Sequence, residues 1–196
     1  MEADQAPSDR HLMDKYTFTH NFGETQLHQT YLCYEVKVFK DDSQDPVKEF
    51  KGFLRNQGRN PGPRRHAELC FLDLIPSWNL DEKLCTITCF ISWSPCYDCA
   101  LQLAAFLVEN SHVSLSIFCA RIYSISGYKQ GLLALQNAGA QIAIMTSKEM
   151  KYCWETFVDN KGQEFQPQDN LDKTRNYLSM ELEKIIRKTE GWMSSL

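Results

Sequence analysis

One residue separates His66 from Glu68, two separate Cys96 from Cys99, and Pro95 stands immediately before the first thiol. Together they supply one imidazole, two thiols and one carboxylate. Three nitrogen and sulfur ligands with an open fourth position are the inventory of a catalytic zinc ion, because the open position takes the water that the metal activates. Cys96 and Cys99 are three apart, so on a helix they share a face about one turn from each other. A proline is tolerated at a helix start, where its missing N–H costs nothing. The positive end of the helix dipole there favours the thiolate that a metal needs. Positions i and i+2 do not share a helix face, so Glu68 reads as a proton carrier rather than a fourth ligand. A closed structural zinc site is the alternative, with Cys70, Cys85 and Cys89 in reserve. Cys85 and Cys89 bound a strand-like run whose ends lie roughly 13 Å apart, so both cannot hold one ion. Each reads instead as a small buried apolar residue.

Alternating elements must bring these groups together. Residues 12–22 predict a short helix, and Thr30–Phe39, rich in β-formers, predicts a strand. A turn at Asp41–Pro46 returns the chain as a hairpin partner over Glu49–Leu54. Gly58, Pro61, Gly62 and Pro63 make residues 56–65 a loop that delivers His66. Ala67, Cys70, Phe71, Leu74 and Ile75 recur at helical spacing and put His66 in the first turn of a helix. Leu84–Trp93 predicts a strand, and Cys96, Cys99, Leu103, Phe106 and Leu107 form one stripe of a second helix. Val113–Tyr123 and Gln141–Met145 are predicted strands joined through a helix over Lys129–Ala138, hence parallel by the right-handed crossover rule. Thr146-Ser-Lys-Glu149 is a capping box opening a further helix, and Leu171, Leu178, Leu182 and Ile185 mark a last one. The expected fold is α/β: a three-layer sandwich with a mixed sheet of about five strands flanked by helices.

With 196 residues and 43% hydrophobic content, one well-cored domain is expected over residues 11–190, after a disordered stretch at residues 1–10. No run of eighteen apolar residues occurs, so no membrane span is expected. The polar, acidic beginning argues against a secretory signal. Eight cysteines then read as reduced thiols and metal ligands in the cytoplasm and nucleus. The net charge of −4 speaks against nucleic acid, yet Lys51, Arg55, Arg59, Arg64 and Arg65 lead into His66 with no acidic residue among them. Such a local run can attract a phosphodiester on an acidic protein.

The H-x-E…P-C-x-x-C arrangement is the established signature of zinc-dependent nucleobase deaminases. With the lead-in Phe90-Ile-Ser-Trp-Ser-Pro-Cys96, Ala120-Arg-Ile-Tyr123 and Cys153-Trp-Glu-Thr-Phe-Val-Asp159, the chain resembles the AID/APOBEC polynucleotide cytidine deaminases. The resemblance runs from about His11 to Ile186 and is strongest to single-domain members of the mammalian APOBEC antiviral subgroup. It implies a cytidine-deaminase-like fold with five strands and about six helices. It also implies zinc-dependent conversion of cytosine to uracil in single-stranded DNA, in restriction of retroviruses and retroelements, by a chain expected to be a monomer.

Residue by residue, the resemblance implies His66, Cys96 and Cys99 as zinc ligands and Glu68 as general acid and base. Trp93 and Tyr123 match aromatics around a flipped cytosine, Asn56 a contact to the target sugar, and Thr30 a pocket-lining residue. His28 matches a loop histidine that stacks on the bent strand, and Ala67 and Ser94 join the substrate-contacting set. Trp154 and Phe157 read as core. Three places depart from the family pattern. Leu27 and Gln29 replace basic neighbours of the loop histidine, Ser124-Ile-Ser-Gly127 carries no acidic or aromatic reader, and Gln168 stands where a tryptophan is common. A thymine methyl can contact Ile125, so 5′-TC is expected over 5′-CC. RNA editing, free-nucleoside deamination and a nucleic-acid-binding restriction factor with weak catalysis are the alternatives. An intact Glu68 argues against the last, since a structural site has no use for that carboxylate.

Overall fold

The computed structural model describes residues 11–23, 29–40, 44–59, 62–80 and 83–187. Along them run β1 (Met13–Asp14), α1 (Lys15–Phe22), β2 (Tyr31–Phe39), β3 (Pro46–Arg55), α2 (Ala67–Leu74), β4 (Cys85–Ile91) and α3 (Tyr97–Glu109). Then follow β5 (Val113–Cys119), α4 (Tyr128–Asn137), β6 (Gln141–Ile144), α5 (Ser147–Phe157), β7 (Val158–Asp159) and α6 (Leu171–Ile186). A five-stranded sheet has the order β3-β2-β4-β5-β6, antiparallel on both sides of β2 and parallel from β4 through β6. The expected parallel crossover from β5 to β6 is present. The stretch at residues 1–10, expected to be disordered, lies outside the described residues.

Strand alternation divides the core into two layers. From β2, Leu32, Val36 and Val38 join Ile87 and Ile91 of β4 against Phe71 of α2, Leu103 of α3 and Leu132 of α4. Tyr31 and Cys33 point the other way, joining Phe90, Met150, Trp154 and Phe157 on the face covered by α1 and α5. Cys85 and Cys89 sit in the first layer as buried core residues, and Trp154 and Phe157 are core in the second.

Several boundaries differ from the sequence pattern for identifiable reasons. The predicted strand 84–93 ends at Ile91, because Ser92 and Ser94 turn their hydroxyls into backbone partners. Tyr31 N–H donates to Ser92 Oγ at 3.0 Å and Tyr123 N–H to Ser94 Oγ at 2.9 Å. The predicted strand 113–123 stops at Cys119, after which Ala120 N–H donates back to Ile91 O at 2.8 Å. Asp14 starts α1 later than expected by accepting from Thr17 N–H at 2.9 Å. The Thr146 capping box forms, with Thr146 N–H donating to Glu149 Oε2 at 2.9 Å. The parallel pairing of β1 with β7, Met13 opposite Val158, is too short for any periodicity to reveal.

Candidate metal centre and cleft

His66 is the N-cap of α2, with extended backbone (φ −70°, ψ 153°) rather than a residue of its first turn. Cys96 likewise caps α3 (φ −68°, ψ 171°), and Cys99 lies one turn on. Pro95 precedes the cap and is fully buried. Two helix starts on one side of the sheet therefore meet. His66 Nδ1 lies 3.4 Å from Cys96 Sγ and 3.3 Å from Cys99 Sγ, and the three ligand atoms lie within 4.8 Å of one another. A tetrahedral ion with ordinary Zn–N and Zn–S lengths sets nitrogen and sulfur about 3.6 Å apart, so the donor set and its spacing fit zinc. Among the described residues this is the one His, Cys and carboxylate group so arranged. The neighbouring Cys99 thiol draws Cys96 down to about 5, and Cys99 is itself pushed up by Cys96 and by burial. Cys96 is therefore the thiol more readily held as the thiolate that a divalent cation needs.

Glu68 stands beside this triad without joining it. Its carboxyl is buried at 4% exposure, and burial pushes it up to about 7, with the negative Cys96 adding to the effect. A buried carboxyl balanced near neutrality both takes and gives a proton at working pH.

Above the triad opens a cleft of about 920 Å³ reached by His66, Glu68 and Cys96 and bordered by Thr30, Asn56, Trp93, Ser94 and Tyr123. Trp93 and Tyr123 meet edge to face, with ring centroids 5.9 Å apart. Thr30 and Asn56 hold each other reciprocally: Thr30 N–H donates to Asn56 Oδ1 and Asn56 N–H to Thr30 O, each at 3.0 Å. The structure therefore brings together the predicted residues with two exceptions. Ala67 is fully buried in the core rather than on the cleft lining, because it directly follows the cap and faces the sheet. His28 lies outside the described residues.

The basic run is divided by its surroundings. Lys51 is bound to Glu35 at 2.9 Å and Glu49 at 3.1 Å on the sheet. Arg65 makes a two-pronged pair with Asp73, at 2.6 and 2.8 Å, and exchanges backbone hydrogen bonds with Gln57 across the base of the loop. Arg59, Arg64 and the Asp73-paired Arg65 border the cleft, whereas Arg55 is not among its lining residues. The run as a whole thus does not face the cleft, since hairpin geometry turns its first member onto the acidic side chains of β2 and β3.

Other supports carried no sequence signal as single residues. Ser92 is fully buried and anchors the strand end to Tyr31. Arg121 lies 4.5 Å over the Trp93 ring and donates to the carbonyls of Gly23, at 2.6 Å, and Asn21 at the end of α1. Arg175 of α6 donates to Phe22 O between them at 2.7 Å. Burial and the neighbouring Arg175 charge lower Arg121 to about 10. The motif containing Arg121 was visible in the sequence, but its partners come from a helix a hundred residues away.

Comparison with protein families matches residues 11–186 to the APOBEC3 cytosine deaminase domain. Among curated proteins the chain is similar to "DNA dC->dU-editing enzyme APOBEC-3G" of Papio anubis, 49% identical over 186 residues, covering 91% of this chain and 49% of the relative. The protein of that name in Chlorocebus aethiops is 49% identical over 184 residues, covering 90% and 49%. In Lagothrix lagotricha it is 45% identical over 187 residues, covering 91% and 49%. The chain spans about half the length of the curated relatives it matches.

Proposed function

The chain belongs to the APOBEC3 cytosine deaminase domain family, and from that premise we propose that it converts cytosine to uracil in single-stranded DNA, in the service of restricting retroviruses and retroelements. The observation that carries this reading is the convergence of His66, Cys96 and Cys99 beside a buried Glu68 carboxyl at the base of an aromatic-walled cleft. We take zinc as the ion these three residues hold. When bound there, zinc supplies a nucleophilic water near neutral pH. Glu68 takes a proton from the attacking water and passes it to N3 of the base, then takes the remaining proton of the new C4 hydroxyl and gives it to the amino group, which leaves as ammonia as C4=O forms. Trp93 and Tyr123 stack against the base and exclude water, while the mutual bonds of Thr30 and Asn56 fix that side of the rim.

A base inside a duplex cannot reach so recessed a carboxyl, which favours a single strand whose target nucleotide is turned outward. Arg59 and Arg64 stand at the cleft to meet its phosphates. The test compares free cytidine, an RNA oligonucleotide and a DNA oligonucleotide of one sequence. Deamination of the DNA well above the other two is expected. Equal activity on free cytidine would overturn the reading, because the loops above the centre would then have no substrate to hold.

A further inference from the structure

Tyr97 follows the ligand Cys96 at the first position of α3, and its side chain has no part in the chemistry above. Its position relative to α4 is unusual. The helix approaches so closely that a Cβ on Gly131 would fall 2.9 Å from Tyr97 Cα and 3.2 Å from Ala100 Cβ. One turn earlier Gly127 takes φ +79°, and a Cβ there would lie 3.2 to 3.3 Å from three atoms of the Tyr97 side chain. Two glycines thus form the seat of this one tyrosine, and positive φ at the first makes it a poor place for any other residue.

Gly127 is also the end of the loop that borders the cleft. Ile125 N–H donates to Tyr123 O at 3.0 Å, Tyr128 N–H to Ile125 O at 3.1 Å, and Gly131 N–H to Gly127 O at 3.0 Å. Ser124 and Ile125 reach the cleft from this tight loop, and Tyr123 N–H fastens its other end to Ser94. The Tyr97 side chain is the wall against which the loop's last residue rests. It ties the helix start that carries both thiols to the segment flanking the place of the target base.

We propose that Tyr97 is a positioning residue for base selection: seated against Gly127, its ring holds the 123–127 loop in the shape that reads the nucleotide next to the target cytosine. The proposal rests on the function given above, with one readout independent of it. Hydrogen–deuterium exchange on the full zinc-loaded chain with Tyr97→Ala is expected to show severalfold faster exchange at the Ile125 and Tyr128 amides, with β4 and β5 unchanged. On four DNA oligonucleotides differing only in the base 5′ to the target, the ratio of best to worst rate should fall by more than half. Zinc content should stay intact and kcat on the best oligonucleotide within about two-fold. Tyr97→Phe, which keeps the ring in its seat, should restore both readouts.

Unchanged exchange at Ile125 and Tyr128 would overturn the proposal, as would faster exchange with an unchanged ratio. A fall in kcat with zinc loss in the alanine variant would overturn it too, by showing a purely structural residue. Should Tyr97→Ala fail to fold, Tyr97→Leu fills the space at Gly131 without a flat ring at Gly127 and is judged on the same two readouts. If the unsubstituted chain deaminates none of the four oligonucleotides, the functional reading fails and base selection falls with it. Exchange would then report on the packing of the loop alone.

Discussion

The base of the cleft and its rim differ in how their residues are held. At the base, Cys96, Cys99 and Glu68 are buried at or next to helix starts, rooted through α2 and α3 in the layer that packs on β2, β4 and β5. At the rim, Thr30, Asn56, Arg59, Arg64 and Tyr123 belong to segments between elements, where Thr30, Asn56 and Tyr123 are held by a few hydrogen bonds rather than by a packed core. Reaction geometry tolerates little displacement, which suits groups fixed by a packed core. A flexible polymer substrate must be admitted and released, which suits loops. Substitutions at the base should therefore change whether the reaction occurs, and those at the rim which strand is used and how tightly.

The sharpest break of that division is Cys96→Ala, which removes a ligand that is also a buried helix cap. Metal content should fall from one ion per chain to near zero, with a clear drop in Tm, because binding and folding are coupled. Retention of both would show that the ion is held elsewhere.

Glu68→Gln should separate chemistry from architecture at the same depth. The isosteric amide leaves the ligands in place, so metal analysis should read as in the unsubstituted chain. Activity should fall by roughly 10²- to 10⁴-fold, the usual contribution of a positioned acid and base. Loss of the metal from this variant would make Glu68 a ligand and remove the distinction.

At the rim, Arg59→Ala with Arg64→Ala should weaken DNA binding without altering Tm or metal content. The slope of log K against log salt should become shallower by about 0.7 for each phosphate no longer neutralised. Lys51→Ala should leave the slope unchanged, because its ammonium is engaged by Glu35 and Glu49. If Lys51 lowers the slope and the arginines do not, the strand takes another path.

The smallest expected effect lies in the loop after Tyr123. Ser124 and Ile125 border the cleft with no carboxylate to accept from a cytosine amino group. A missing hydrogen-bond partner is worth about 1 kcal/mol, so 5′-TC should lead 5′-CC only severalfold. Rates on the four oligonucleotides decide it, and a dominant CC or purine preference would show that the rim reads bases by other means.

The amino-acid sequence by itself determined which residue types could hold a metal, that Glu68 stands apart from them, and where nearly every helix and strand lies. Local periodicity, capping residues and short-range spacing carry that information because they depend on neighbours within a turn or two. Tertiary structure decided the rest. It placed Ala67 in the core, divided the basic run between Glu35, Asp73 and the cleft, and brought Arg121 and Arg175 to the last carbonyls of α1. It also set Tyr97 against two glycines thirty residues further on. Such placements follow from which elements pack together, and packing is settled by the summed burial of many side chains rather than by the identity of any one of them.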